Sequence, residues 1–508
     1  MTPSPTDPRQ NLSQKPSREL SHELSTEEKR ALLRKLLRSK MDPTSEPFPL
    51  TLEQRALWFL QSLVPDSFAY NVPISLRFTP PLDLTSLQSA LDTSVARHPA
   101  LRIQFQEHAG VPRQQAMPPA TAPIDVREMP DADAILRQEV LAESRRPFSL
   151  DGPLFRAALW RGATADLFLL TIHHLVCDGH SGLLLLHDLG TLYRAARQGV
   201  PHQLAPLTAT YRDFVTAQQQ LLVSDDDGRL WSYWAQQLSG SWENLELPAV
   251  RPRPSRMTLR GGSIAFEITP EHAVQLKQLA QRQRTTFYAV VYTAMQTVLY
   301  QFTGQTDLVI GTPSSVRTRP EWNSIVGYFI NMLPIHVPMT GERSFADQLR
   351  LVHGQLMGAL AHQEFPFPAM VERLKVARDT TRTPIFQTIV NVSPANQRTF
   401  SSGAASSETL FGDSRFEPYL IPSLEGQFDL AVEIVETERG LIGVWKYSTD
   451  AFDKETAKRM LDAFQRMLNL AIENAELSLR EMVARTSVGA GQLPLRTDED
   501  AEREELTF

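Results

Sequence analysis

At 508 residues the chain exceeds what one hydrophobic core ordinarily organises, so two or more domains are expected. Its 51 Lys and Arg against 58 Asp and Glu leave a formal charge of −7, which excludes a general nucleic-acid binder because no bulk positive charge is available for phosphates. A single cysteine, Cys177, excludes an internal disulfide and a cysteine metal cage, and with no signal pattern at Met1-Thr-Pro-Ser-Pro and no apolar run near about 18 residues, a cytoplasmic protein that does not enter a membrane is expected.

Residues 1–23 are polar and rich in Pro and Ser, which predicts disorder. Ser25-Thr-Glu-Glu28 has the form of a capping box and leads into residues 29–38, a short helix with one apolar and one strongly basic face. From Pro49 to about Thr216 strands and helices alternate, with strands expected at 72–78, 101–106 and 155–160 and a helix at 84–97. Residues 167–172, Leu-Phe-Leu-Leu-Thr-Ile, form an apolar run of strand length. They run directly into His173-His-Leu-Val-Cys-Asp-Gly179. Ser181 then opens a Leu-rich helix with a serine cap, a basic last turn and a glycine stop at Gly199. Residues 222–228 read as a linker or exposed loop, and the Pro/Arg-rich residues 248–256 as a punctuation between domains. A second α/β region follows: a strand at 263–268, helices at 270–284 and 286–300, strands at 307–310, 428–435 and 441–447, and a helix at 454–473. The last residues, 497–508, are acidic and end in Leu506 and Phe508. No internal sequence repeat is present.

The chemistry concentrates at the strand-to-helix turn. Period-2 alternation puts His174 on the face of Phe168, Leu170 and Ile172, and His173 on the opposite face. An imidazole rising from an apolar floor has its pKa lowered by desolvation, stays neutral and can accept a proton. Opposed faces also prevent the two histidines from chelating one metal ion, so no metal is expected. Cys177, with no dedicated base beside it, reads as a small buried hydrophobe. Asp178 and Ser181 invite a Ser-His-Asp triad, but no nucleophile elbow is present.

The spacing His-His-x-x-x-Asp-Gly resembles the signature of condensation domains of nonribosomal peptide synthetases, which share the chloramphenicol-acetyltransferase-like fold. Six further stretches resemble the family's other blocks in their family order. They are Thr51-Leu-Glu-Gln-Arg-Ala-Leu-Trp58-Phe-Leu, with Glu53 where alanine is usual; Arg97-His-Pro-Ala-Leu-Arg102-Ile-Gln-Phe105; Tyr211-Arg-Asp-Phe214; Ile325-Val-Gly-Tyr-Phe-Ile-Asn331; His362-Gln-Glu-Phe-Pro-Phe367; and Arg378-Asp-Thr-Thr-Arg-Thr-Pro-Ile-Phe-Gln387, with Thr383 where asparagine is common. After Asn331 the chain reads Met-Leu-Pro-Ile-His336 where the family often has Leu-x-Leu-Arg, which leaves the subtype unassigned.

The resemblance implies an α/β architecture, layered in the α+β manner, of two acyltransferase-like lobes in a V-shaped pseudo-dimer with a central tunnel. The lobes would be residues 48–228, which carry the motif, and 229–485. Residues 1–47 and 486–508 would be tails. Apart from the resemblance, the charge of the basic helix 25–38 and of the acidic tail 497–508 leads to the expectation that one or both dock partners. The implied reaction transfers an acyl, peptidyl or polyketide chain from a carrier-protein thioester to an amine or hydroxyl, giving an amide or ester. His174 would orient or deprotonate the acceptor, with His173 structural, Asp178 in a buried ion pair with Arg317, and Gly179 leaving room for the arm. No cofactor is bound; a phosphopantetheine arm comes with the partner, an acyl or peptidyl carrier protein, and the acceptor is a soluble small molecule or carrier-bound. A monomer acting in trans and releasing a finished chain is expected. The competing classes are a coenzyme-A-dependent acyltransferase of the same fold and a non-catalytic platform that recruits other proteins.

Overall fold

Two sheets, each screened by helices, carry most of the chain in the computed structural model, which describes residues 46–224, 228–240, 244–250, 252–377, 379–393, 410–437 and 440–487. The helix expected at 25–38 and the acidic tail lie outside the described residues.

The first sheet has five strands in the order Arg415–Pro418, Asn71–Thr79, Asp166–His173, Phe155–Arg161 and Ile124–Glu128. Neighbours are antiparallel except the last pair, which is parallel. Asp166–His173 is buried at every position, which explains why it reads as a continuous apolar run rather than an alternating one. Phe168, Leu170 and Ile172 share a core with Leu87 and Leu91 of the helix Leu84–Arg97 and with Leu185 and Leu189 of the helix Gly179–Gln198. Leu167 and Leu169 pack on the opposite side with Leu136 and Val140 of the helix Asp133–Ser144. Gly199 ends the motif helix with φ 65°, as the glycine stop predicts, a conformation costly for any residue with a Cβ. The strand expected at 101–106 begins later, at Ile103, because Pro99 opens a short 3₁₀ turn, Pro99–Arg102, first.

The second sheet has six strands, ordered Ile330–His336, Val309–Ser315, Thr388–Ser393, Leu430–Thr437, Gly440–Ser448 and Gly261–Ile268. The helices Pro270–Arg282, Phe287–Thr303, Phe345–Ala361 and Lys454–Glu473 share one core with it. Phe287–Thr303 is buried continuously from Ala289 to Leu299, so its wall-to-wall apolar sequence is that of a central helix. A small third sheet joins Phe48–Pro49, Val111–Ala116 and Ile103–His108.

One strand crosses between the halves of the sequence. Arg415–Pro418 pairs with Asn71–Thr79, and Phe416 packs on Phe78 and Phe411. It thereby covers backbone groups that Asn71–Thr79 would otherwise leave open as an edge. The mixed α/β layering expected from the sequence is present in both halves.

Candidate active site

The strand Asp166–His173 stops at His173, and the chain turns through a single 3₁₀ turn, His174–Val176, before entering the helix Gly179–Gln198. His174 is therefore outside the pleat, and the strand alternation expected to aim it does not reach it. Its direction is set by the turn. The His174 N–H donates to the Tyr70 carbonyl at 2.7 Å, and Nδ1 lies 2.6 Å from the Cys177 carbonyl oxygen. A carbonyl only accepts, so Nδ1 carries the proton and Nε2 presents its lone pair. Among the described residues Nε2 has no hydrogen-bond partner. Burial lowers the His174 pKa from its ordinary 6.5, against the opposing pull of the Cys177 carbonyl and the Asp178 carboxylate, while Lys446 adds to the lowering. The result is a neutral, half-buried imidazole with a free basic nitrogen.

His173 is fully buried. Its Nδ1 accepts from the Leu175 N–H at 3.1 Å, which leaves Nε2–H for Gln61 Oε1 at 3.4 Å. Burial, with the neighbouring His174 adding to it, pushes its pKa down to about 3. Protonating this ring opposes folding, so its environment suits an interior strut and no proton transfer at neutral pH.

The helix after the turn is capped by Asp178, not by Ser181 as the sequence suggests. Asp178 Oδ1 accepts from the Ser181 N–H at 2.7 Å, and the helix starts at Gly179. The freed Ser181 hydroxyl donates to the Gly327 carbonyl at 2.9 Å and accepts from the Gly327 N–H at 3.1 Å and from Arg317 at 2.8 Å. It has no histidine partner, which removes the triad. Arg317 Nη2 reaches both Asp178 oxygens, at 3.1 and 3.2 Å, and both side chains are buried. Its Nη1 donates to the Trp322 and Ile325 carbonyls, and the guanidinium lies 3.9 Å from the centre of the Phe329 ring. Arg319, two residues on, instead covers the Trp322 ring at 4.9 Å. Phe329 N–H donates to Asp178 Oδ2 at 3.1 Å, so the segment after Arg317 closes over the motif.

Other motif positions separate cleanly. Cys177 is fully buried, and burial raises its thiol pKa well above the ordinary range, which removes it as a nucleophile. Gly179 is exposed with an ordinary φ, and a Cβ built on it would meet nothing within 4 Å. Its smallness is therefore not needed by the turn, and open space lies beside it. Gln54 of the first block donates to the Leu175 carbonyl at 2.8 Å and bonds Gln114, which steadies the turn from below. Among the described residues no group of three or more His, Cys, Asp or Glu side chains is arranged to hold a metal ion.

Sequence reasoning did not single out Tyr328, whose ring meets His174 edge to face with centroids 5.3 Å apart. It lies inside the quoted block 325–331, but nothing in the spacing separates it from its neighbours. The same block ends at Asn331, which is fully buried and uses its whole amide. Nδ2 donates to the Gln363 and Phe365 carbonyls at 2.8 Å each, and Oδ1 accepts from the Met332 and Phe367 N–H groups at 2.9 Å each. Asn331 thereby ties the segment 325–331 to the segment 362–367 in this chain. Asn331→Ala leaves buried backbone donors and acceptors unpaired, so a loss of about 2–3 kcal/mol is expected, read as a lower urea midpoint at unchanged slope.

Residues 45–493 match the family model of the Condensation domain. The chain is 32% identical over 460 residues to a linear gramicidin synthase of Brevibacillus parabrevis, a match covering 89% of this chain and 9% of that protein. It is 34% identical over 421 residues to phosphinothricin tripeptide synthetase PhsC of Streptomyces viridochromogenes, covering 82% of this chain and 38% of that one. The chain thus spans only a minor part of these relatives. Among solved structures, the X-domain from teicoplanin biosynthesis superposes with a TM-score of 0.78 at 23% identity, over 86% of this chain and 97% of that one. The first condensation domain of the calcium-dependent antibiotic synthetase, in complex with a substrate analogue, gives 0.72 at 23% identity, over 86% and 99%. These likenesses establish the fold.

Proposed function

The chain belongs to the condensation-domain family, and on that premise we propose that it joins an acyl group, carried as a thioester on the phosphopantetheine arm of a carrier protein, to an amine or hydroxyl acceptor. The observation that carries this reading is the state of His174. A neutral imidazole with Nδ1 committed to the Cys177 carbonyl and Nε2 free is what removal of a proton from a nucleophile requires. The acceptor nitrogen or oxygen attacks the thioester carbonyl carbon while Nε2 takes its proton. The new C–N or C–O bond forms, the C–S bond breaks, and the proton passes to the departing thiolate. No acyl-enzyme is needed, in keeping with the buried Cys177 and the occupied Ser181 hydroxyl. The Asp178–Arg317 pair holds the turn that aims His174, and the open space beside Gly179 suits passage of a slender arm.

Action in trans and release of the chain belong to the same reading. The test supplies an acyl-loaded carrier protein as a separate molecule, together with candidate amine and alcohol acceptors, and follows the carrier by intact-protein mass spectrometry. Loss of the acyl group with amide or ester product free in solution is the expected outcome. Product that stays on a carrier overturns release. Preference for the same acyl group on coenzyme A favours the coenzyme-A-dependent class, and a carrier that binds without ever losing its acyl group favours a recruitment platform.

A further inference from the structure

Residues 327–329 come from the second half of the sequence, yet the first half holds their backbone at three successive points. Gly327 exchanges two hydrogen bonds with the Ser181 hydroxyl, the Tyr328 carbonyl accepts from the Tyr211 hydroxyl at 2.7 Å, and Phe329 N–H donates to Asp178. Gly327 has no space for a side chain, since a Cβ would lie 2.2 Å from the Tyr211 ring. This clamp delivers one side chain onto the ring of His174, that of Tyr328.

The Tyr328 hydroxyl is anomalous. The residue is only 8% exposed, but among the described residues its hydroxyl has no hydrogen-bond partner. The buried Tyr193, Tyr211 and Tyr292 hydroxyls and that of the half-buried Tyr288 are bonded to backbone groups, whereas the buried Tyr447 hydroxyl, on the second sheet, has no partner among the described residues either. Tyr70, also 8% exposed, shares the anomaly. Tyr70 gives its carbonyl to the His174 N–H, and its phenol is an electrostatic neighbour of the Tyr328 phenol. Neither hydroxyl is among the side-chain polar atoms sealed inside the protein without a partner, so both keep access to open space. Burial raises both phenol pKa values, so both remain O–H donors across the working range. Buried hydroxyls normally find partners, and two left without any, one of them on a ring that meets His174 edge to face and the other on a ring that faces His173, are arranged for something that arrives.

We propose that the Tyr70 and Tyr328 hydroxyls are paired donors for the carbonyl oxygen of the incoming acyl thioester. This rests on the reading of His174 as the base. As the nucleophile bonds to the carbonyl carbon, negative charge builds on the oxygen and the two O–H groups hold it, keeping their own protons. Nε2 collects the nucleophile's proton; the electron pair on the oxygen then re-forms the carbonyl as the C–S bond breaks, and the departing thiolate takes the charge and receives the proton from Nε2.

Tyr328→Phe and Tyr70→Phe in the full chain test the pair, because each keeps the ring and removes one oxygen that no protein group uses. With an acyl-loaded carrier protein and an accepted nucleophile, each variant is expected to lower kcat by roughly 10–10³-fold, with KM for the carrier within about twofold and the thermal midpoint unchanged. Parental kcat in either variant, or a loss confined to KM, overturns the pair. His174→Gln run in parallel keeps the two readings apart. Lost activity there with parental tyrosine variants rejects only the pair, whereas parental activity there rejects the base.

Discussion

Asp178→Asn is expected to lower stability by about 3–5 kcal/mol, although the two side chains have nearly the same size. Asparagine can still cap the helix toward the Ser181 N–H, so the loss comes from elsewhere. The Arg317 guanidinium, held by Trp322, Ile325 and Ser181 and pressed on the Phe329 ring, cannot swing out to water, and it would be left as a buried charge without a counter-ion. Chemical denaturation measures the effect directly. The partner control is Asp178→Asn combined with Arg317→Met, which removes the stranded charge and is expected to recover much of the loss, because buried pairs are often replaceable by apolar groups of like volume. A single substitution as stable as the parent would show that the pair contributes nothing. A double substitution that recovers nothing would place the cost in the cap and the Phe329 N–H bond instead.

His174→Gln is expected to reduce kcat by roughly 10²–10⁴-fold with little change in stability, since glutamine is of similar size and can still meet the Cys177 carbonyl. The pH dependence has a definite sign. A base works only when unprotonated, and burial lowers the His174 pKa from 6.5, so the acid limb of kcat/KM in the parent should fall at a pH below 6.5. Lys446 contributes to that lowering from the strand Gly440–Ser448 and is itself held charged: burial works against its ammonium, and Glu433 and Glu425 outweigh it. Lys446→Met should therefore move the acid limb upward. A limb at or above 6.5 in the parent would contradict the buried, neutral imidazole, and a His174→Gln enzyme as fast as the parent would remove it from the chemistry.

Much of the site was legible locally. The apolar run, the heptapeptide, the Leu-rich helix and Gly199 are read from residues within a turn or two of each other, and the helix at 454–473 is found at its expected bounds. Where local reading failed, long-range contacts had intervened. Ser181 looked like the cap because capping residues precede apolar helices, but Asp178 takes that place while Ser181 binds Gly327, 146 residues away. His174 looked like a strand residue because the apolar run leads straight into it, but its ring follows the turn that its own bond to Cys177 closes. The strand Arg415–Pro418 carries no signal that it belongs in the first sheet, since the register that selects it lies far upstream in Asn71–Thr79.

The seven blocks and their order by themselves carried the resemblance to the family and singled out His174 as the candidate residue, because motifs and their spacing are properties of the chain alone. Only the tertiary structure decided which arginine meets Asp178, which nitrogen of His174 is free, and which aromatic ring meets that of His174. Those outcomes depend on residues 139 and 151 positions apart, Asp178 with Arg317 and with Phe329, being brought within hydrogen-bond distance. Propensity and periodicity act over a few residues, whereas burial and the pairing of buried charge act only once distant segments have packed.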